Sequence, residues 1–408
     1  MVGTESDDET SIVEGIIAFV DAVVVPLKVE NEQLLRNPKL VYTETGKYSP
    51  EILALMRKVR MASASAGFYT AFCPTSIGGG GMSFRSMLLT YEAIYKRNGP
   101  HQIPFQSVIG HWATGPSFLC NSFTDELKSE ILEDIVNGSL CMCFALSEAD
   151  AGSDVWMMRT TAIEDGDEWV INGSKQWITG AGHADYAYLF AVTDLDTYRA
   201  RKGGVSCFVV PMGARGVSVD STITLFGEIG GNEGMLSFTD VRIPKKNLVG
   251  PLHGGFQLAL GGTGLGRVYN SGRTLGLAQW CLAIARDHAL SRKVFGKPLA
   301  EHQAISFKIA DSVMEIFAAR QTALELARRL DQGSSAVAEL AIAKATCAET
   351  LLRVADRSMQ ICGAMGLTTE MELYQAWHAA RILQLADGSA ETARRTIAQR
   401  YLESKVEF

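Results

Sequence analysis

The sequence lacks three features that would assign it to particular classes of protein. It has no run of about 18 or more apolar residues, the length needed for a helix that crosses a bilayer. Lys and Arg do not cluster and the net charge is −7, which argues against nucleic acid as the main partner. The first ten residues are acidic, unlike a secretory or mitochondrial presequence. We therefore expect a cytoplasmic protein with no membrane span and no nucleic-acid partner.

Two sequence patterns are also missing. The 8 cysteines have no repeated spacing, so we expect reduced, buried thiols rather than disulfides or a metal site. No Gly-x-Gly-x-x-Gly follows a predicted strand, so a Rossmann-type dinucleotide site is not supported.

What is present is enough apolar sequence for a large core in two to three domains. The chain has 408 residues, of which 47% are hydrophobic and 20% charged. Residues 11–138 are predicted mainly helical. A β-rich stretch follows, in which Asn172-Gly173 between two apolar runs predicts a hairpin turn. Long helical patterns return after Gly254-Gly255, over Gly266–Ser291, Ala304–Gln332 and Ser335–Cys362 and from Leu373 onward. The predicted domains are an all-α domain at 1–138, a β domain at 139–247 and a helical domain at 248–408.

Two motifs lie in the β-rich stretch. Phe144–Asp154 predicts a strand that enters a Gly/Ser turn with exposed hydroxyls, which would suit the polar edge of a flat ligand, although an ordinary β-turn has the same pattern. Gln176–Gly180 places a Trp on a strand, where such a residue usually belongs to the core.

A third motif surrounds the end of a long predicted helix, Gly266–Ser291. Arg292 and Phe295 are three residues apart, so we expect them to share a helix face just before a Gly-Lys-Pro break. A cation beside a ring suits a diphosphate next to an aromatic base. A solvated Arg beside a core Phe would give the same pattern.

A fourth motif combines glycines with one carboxylate. Gln360–Gly366 breaks a helical segment with glycines, which let backbone N–H groups approach a ligand. Asp387 then stands between an apolar run and a turn of small residues, a setting in which a carboxylate is a candidate base.

The four motifs, in this order from Phe144 to Glu391, closely resemble those of the acyl-CoA dehydrogenases. The resemblance implies an α+β multidomain fold with an N-terminal helical domain, a middle β domain and a C-terminal four-helix bundle. It also implies an enzyme that binds FAD and removes hydrogen from an acyl-CoA thioester. Electrons would pass to an electron-transfer flavoprotein or a similar acceptor.

The resemblance also implies roles for individual residues. Asp387 is implied as the base that removes the substrate α-proton, with substrate contacts from Ser153, Arg267 and Gly388. The implied FAD contacts are Leu146, Ser147, Trp177, Thr179, Arg292, Phe295, Gln303, Gln360, Gly363, Gly366, Ser389 and Glu391. Arg292 and Gln303 would reach the FAD of a neighbouring subunit, which implies a homotetramer or homodimer.

One position departs from the family, which usually has Glu where this chain has Asp387. Its side chain is shorter by one C–C bond, about 1.5 Å. Asp387 could serve as the base for a substrate that is seated deeper or shaped differently, as Asp does in some relatives. The base could lie on the helix of Arg267, but Val268–Arg273 contains no carboxylate. The chain could also be a non-catalytic flavin-binding subunit, or a flavin monooxygenase or oxidase of the same fold. We favour Asp387 as the base.

Overall fold

The computed structural model describes residues 7–100 and 103–405. Contacts divide the described chain into two compact units. The first unit comprises residues 7–18, 82–100 and 264–405, and the second comprises residues 19–81 and 103–263.

The helices confirm the predicted order of helix, sheet and helix along the chain. Many begin at a side chain that caps the first turn, such as Ser83, whose hydroxyl accepts from the Ser86 N–H. The α-helices are α1 (Asp7–Phe19), α2 (Val25–Glu30), α3 (Glu32–Arg36), α4 (Pro38–Val41), α5 (Pro50–Ser65), α6 (Phe84–Asn98), α7 (Asp125–Leu127), α8 (Glu133–Val136), α9 (Leu195–Arg199), α10 (Gly255–Ser291), α11 (Gln303–Asp331), α12 (Val337–Cys362), α13 (Leu373–Leu383) and α14 (Ala390–Leu402).

An eight-stranded sheet forms the core of the second unit. Its main path runs β6-β7-β3-β2-β4-β5-β8, and β1 pairs in parallel with β4. Its strands are β1 (Met142–Ala145), β2 (Thr161–Asp165), β3 (Glu168–Thr179), β4 (Tyr186–Val192), β5 (Val205–Pro211), β6 (Val217–Ile223), β7 (Glu233–Pro244) and β8 (Leu248–Val249). The central strands β4 and β5 are almost wholly buried and apolar, as expected for strands covered on both faces.

The predicted hairpin turn at Asn172-Gly173 is wrong. Both residues lie inside the continuous strand β3, and the reversal between β2 and β3 occurs at Gly166-Asp167. At Asn172 the pairing of β3 with β7 shifts register, and the Asn172 side chain exchanges hydrogen bonds with Asp240 at 3.0 and 2.9 Å. The dipeptide therefore forms a bulge, the other common use of a glycine within a strand.

The helix that carries Arg267 begins 11 residues earlier than predicted, at Gly255 instead of Gly266. The intervening stretch is rich in glycine, which disfavours helix. Tertiary packing overrides this preference, because a Cβ on Gly261 would lie 2.8 Å from the ring of Phe118. Arg267 consequently lies in the middle of α10 instead of at its start.

Other long-helix predictions agree closely with the structure, since α11 and α12 start and end within two residues of their predicted bounds. All 8 cysteines are buried free thiols. Among the described residues, no helix combines the length and the apolar character that spanning a membrane requires.

Candidate active site

Asp387 lies in a sharp turn between α13 and α14. Asp387 and Gly388 both have left-handed backbone conformations, with φ of 54° and 88°. Ser389 then caps α14 by accepting a hydrogen bond from the Thr392 N–H at 3.2 Å. This turn displays the half-buried Asp387 carboxylate toward α10 and α12.

Helix α10 holds Asp387 at two points. Arg267 donates to the Asp387 backbone carbonyl through Nε at 3.3 Å and Nη2 at 3.2 Å. Asn270 is three residues further along the same helix face, and its Nδ2 donates to Asp387 Oδ2 at 2.8 Å. The structure therefore brings together three candidate residues, Asp387, Arg267 and Gly388, and adds Asn270. The spacing of three from Arg267 was the sequence signal that could have indicated Asn270.

Helix α12 contributes a buried cation to the same place. Lys344 Nζ donates to the backbone carbonyl of Gln384 at 3.0 Å, and that carbonyl also accepts from the Ala390 N–H at 2.9 Å. Burial lowers the pKa of Lys344 to about 8, although the nearby Asp387 carboxylate favours the charged form. Sequence analysis missed Lys344, because a lysine in an alanine-rich helix carries no sign of its burial.

The pKa of Asp387 is raised above its ordinary value, mainly because burial disfavours the charged carboxylate. The positive charge of Arg267, the hydrogen bond from Asn270 and the charge of Lys344 act in the opposite direction. A carboxylate with a raised pKa is suited to accept a proton near neutral pH. It adjoins a small cavity, about the size of one water molecule, lined by Asn270, Ser271, Thr274, Lys344, Cys347, Ala348, Leu383, Ala386 and Asp387.

The second unit brings the first two motifs together. The backbone carbonyl of Ser147 accepts from the Gln176 N–H at 2.9 Å, which joins the strand-to-turn segment to the bulged end of β3. At this bulge Trp177 has φ of 64° and is 52% exposed, so it is not the core residue that a strand Trp usually is. Thr179 is exposed and Leu146 and Ser147 are half-buried. Ser153 lies exposed further along the turn.

A buried ion pair lies beneath these residues. Lys175 Nζ contacts Glu148 Oε1 at 2.8 Å and donates to the Leu146 carbonyl at 3.0 Å. Glu148 also accepts from the backbone N–H groups of Arg159 at 2.7 Å and Thr160 at 3.1 Å. Burial alone would raise the pKa of Glu148, but Lys175 and these hydrogen bonds lower it. Sequence analysis did not identify the pair, whose members are 27 residues apart.

The prediction that Arg292 and Phe295 share a helix face is wrong. Helix α10 ends at Ser291, and a short hairpin follows, built from β9 (Lys293–Val294) and β10 (Lys297–Pro298). Phe295 and Gly296 form its turn with φ of 50° and 84°, which leaves the Phe295 side chain 97% exposed. A turn with two left-handed residues matches the twist of paired strands, and this favours the hairpin over further helix. Arg292 and Gln303, at either end of the segment, are also exposed.

The third and fourth motifs meet at one end of the long helices. Ile361, next to the exposed Gln360, packs in one apolar cluster with Leu299 and Ile305. Gly363 has φ of 60°, and a Cβ on Gly366 would lie 2.5 Å from the Met359 carbonyl oxygen. Glu391 is exposed in the first turn of α14, while the Ser389 hydroxyl is engaged in capping that helix.

These features fit FAD. An exposed Trp177 flanked by the hydroxyl-bearing Ser147 and Thr179 suits a flat ring with a polar edge. An exposed cation and ring at Arg292 and Phe295 suit a diphosphate and an aromatic base. Among the described residues, no group of His, Cys, Asp and Glu could hold a metal ion.

Comparisons with known proteins identify the family to which the chain belongs. Residues 143–241 match the family model "Acyl-CoA dehydrogenase, middle domain", and residues 253–402 match "Acyl-CoA dehydrogenase, C-terminal domain". The chain is 34% identical to human mitochondrial short-chain specific acyl-CoA dehydrogenase, over 81% of this chain and 79% of the relative. It is 31% identical to the caffeyl-CoA reductase-Etf complex subunit CarC of Acetobacterium woodii, over 87% and 90% of the two chains. The structure of butyryl-CoA dehydrogenase from Megasphaera elsdenii superimposes with a TM-score of 0.81 at 27% identity, covering 98% of this chain and 100% of that one. The chain thus belongs to the acyl-CoA dehydrogenase family of FAD-dependent oxidoreductases.

Proposed function

We propose that the protein is an FAD-dependent enzyme that dehydrogenates the α,β carbon–carbon bond of an acyl-CoA thioester. Asp387 is the base that removes the α-proton. The observation that carries the proposal is the position of this carboxylate, which is partly buried, tied to α10 through Asn270, and beside a cavity. Its raised pKa suits proton abstraction near neutral pH.

Other residues of the proposed site bind the substrate and fix its position. Arg267 holds the backbone of the turn, so that the N–H groups of Asp387 and Gly388 are fixed where they can donate to the thioester carbonyl. Ser153 contacts the pantetheine arm. FAD, when bound, supplies the acceptor for the hydride that leaves the β-carbon.

The proposed FAD contacts are Leu146, Ser147, Trp177, Thr179, Arg292, Phe295, Gln303, Gln360, Gly363, Gly366, Ser389 and Glu391. The name of the CarC relative refers to an Etf complex, which supports an electron-transfer flavoprotein as the electron acceptor here. We also propose the domain bounds 1–138, 139–247 and 248–408.

Purified protein is expected to carry one FAD per chain, identified by chromatography after heat release. Anaerobic addition of acyl-CoA thioesters of graded length is expected to bleach the flavin and produce a long-wavelength charge-transfer band. An oxidase would instead be reoxidised rapidly by air, and a non-catalytic subunit would not be reduced by any thioester. Finding FMN, or no flavin after reconstitution with FAD, would exclude the proposal.

Arg292→Ala is expected to lower FAD occupancy and weaken the assembly together. The reason is that an FAD held across a subunit boundary stabilises the assembled native form. Light scattering and flavin absorbance measured on one sample would follow both effects. Arg36→Ala, which removes an exposed arginine paired with Glu32, serves as the matched control. A fully flavinated monomer would contradict the expectation.

A further inference from the structure

We propose that Asn270 is the positioning residue of the Asp387 base. Its side-chain amide holds Oδ2 and so turns Oδ1 toward the proton that is to be removed. The inference rests on the proposed function, in which Asp387 acts as the base.

The arrangement of the amide itself points to this role. While Asn270 Nδ2 donates to Asp387 Oδ2 at 2.8 Å, the buried Asn270 Oδ1 has no hydrogen-bond partner among the described residues. A buried acceptor without a partner is unfavourable. The reversed amide would place two oxygens against each other, so the carboxylate determines which way the amide points. The Asn270 amide thus donates to Asp387 in an orientation that leaves its own Oδ1 without a hydrogen-bond partner among the described residues.

The two oxygens of Asp387 have different surroundings. Oδ2 accepts from Asn270, whereas no other hydrogen bond is made by the carboxylate among the described residues. Proton transfer to Oδ1 would break the substrate α-C–H bond and form an O–H bond, and Oδ2 would remain an acceptor for the amide. A short side chain has few torsions with which a base can adjust the position of its oxygen atoms. A misplacement of about 1 Å can lower the rate by about 10²-fold. The hydrogen bond from Asn270 on α10 to Oδ2 fixes the orientation of the carboxylate.

The Asn270 amide also affects the pH range in which Asp387 can act as a base, because donation of a hydrogen bond to a carboxylate stabilises its ionised form. The charged groups near Asp387 are Arg267 on α10, Lys344 on α12 and Glu391 on α14, which lies close to Lys344. Asn270 is the uncharged member of the set, so replacing it leaves the local net charge unchanged. Loss of its hydrogen bond raises the pKa of Asp387 further, and the base then becomes active only at higher pH.

The test replaces Asn270 by Leu, which has the same number of side-chain heavy atoms, the same branching at Cγ and no donor. The rate of flavin reduction by an acyl-CoA substrate, measured across pH, is expected to have its acidic limb shifted to higher pH. At the acidic end the rate is expected to fall at least about tenfold, the effect of losing a hydrogen bond to a charged group. Asn270→Gln retains the donor and is expected to restore part of the rate. Asn98→Leu, on α6, replaces an asparagine whose side chain, within the described part of the chain, bonds only its own helix, and it is expected to leave the profile unchanged.

A second measurement does not depend on turnover. Infrared difference spectra against Asp387→Asn follow the carboxylic C=O stretch of Asp387 as pH is lowered. In Asn270→Leu this band is expected to appear at higher pH than in the parent. The inference is overturned if neither the pH profile nor the infrared titration differs from Asn98→Leu. If Asp387→Asn is reduced as fast as the parent, the proposed function fails instead, and the infrared shift still reports whether the pair exists.

Discussion

Asp387→Asn is expected to reduce the rate of anaerobic flavin reduction by at least about 10²-fold, the lower end of the effect of losing a general base. The substitution keeps the size of the side chain and removes the lone pair that accepts the proton. FAD content is expected to stay close to that of the parent, because this side chain is not among the proposed cofactor contacts. Stopped-flow absorbance under anaerobic conditions measures the rate, and the flavin spectrum of the same sample measures the content.

Asp387→Glu is the matched control, since it keeps the charge and restores the residue usual in the family. It is expected to retain reduction and to shift the preference among acyl groups or improve turnover of straight-chain thioesters. Equal rates in the parent and the Asn variant would make Asp387 a bystander. The base would then have to be sought among other carboxylates.

The largest effect on stability is expected for Lys175→Met. It leaves Glu148 as a buried carboxylate without its cation, and breaking such a pair from one side costs about 3–5 kcal/mol. Lys175 also donates to the Leu146 carbonyl, so FAD affinity is expected to fall as the proposed flavin contacts of that segment lose their support. Denaturant unfolding measures the first effect, and flavin retention on gel filtration measures the second.

The double variant Glu148→Gln with Lys175→Met separates charge from packing. A Gln side-chain oxygen can still accept from one of the two N–H groups, that of Arg159 or that of Thr160, and no charge is left buried. Part of the lost stability is therefore expected to return. Arg242→Met breaks exposed pairs with Asp165 and Glu168 and is expected to change stability little. A Lys175→Met effect as small as that of Arg242→Met would show that the buried pair is dispensable.

Local periodicity predicted the long helices because their apolar spacing is contained within one segment. Helix α11 is the clearest case, as its predicted start at Ala304 is one residue from the observed Gln303. The Asn172-Gly173 error has a different origin, since the partner of Asn172 is Asp240, 68 residues away on β7. The Asn-Gly pattern occurs both in turns and in bulges, and the pairing with a partner strand determines which of the two forms.

Sequence analysis could indicate only those residues of the candidate site that belong to a recognisable motif. Motifs indicated Asp387 and Arg267 as candidates, and the structure joins the two through the Asp387 carbonyl. Asn270 is 117 residues from Asp387 and belongs to no motif, and Lys344 reaches the turn through a backbone carbonyl that any residue could supply. Such contacts depend on how helices pack, which a single sequence does not specify.

At position 387 the left-handed backbone conformation and the reach toward a substrate favour different side chains. Positive φ is tolerated better by Asp than by Glu, because a short polar side chain can bond locally in this conformation. Reach toward a substrate favours Glu, which is longer by about 1.5 Å. Under the proposed function, Asp387 keeps the side chain that suits the backbone conformation, and the substrate has to make up the missing length. An acyl group whose α-carbon can come close to the turn would meet that condition, so under the proposed function the shape of this six-residue connection restricts which molecules the protein can use.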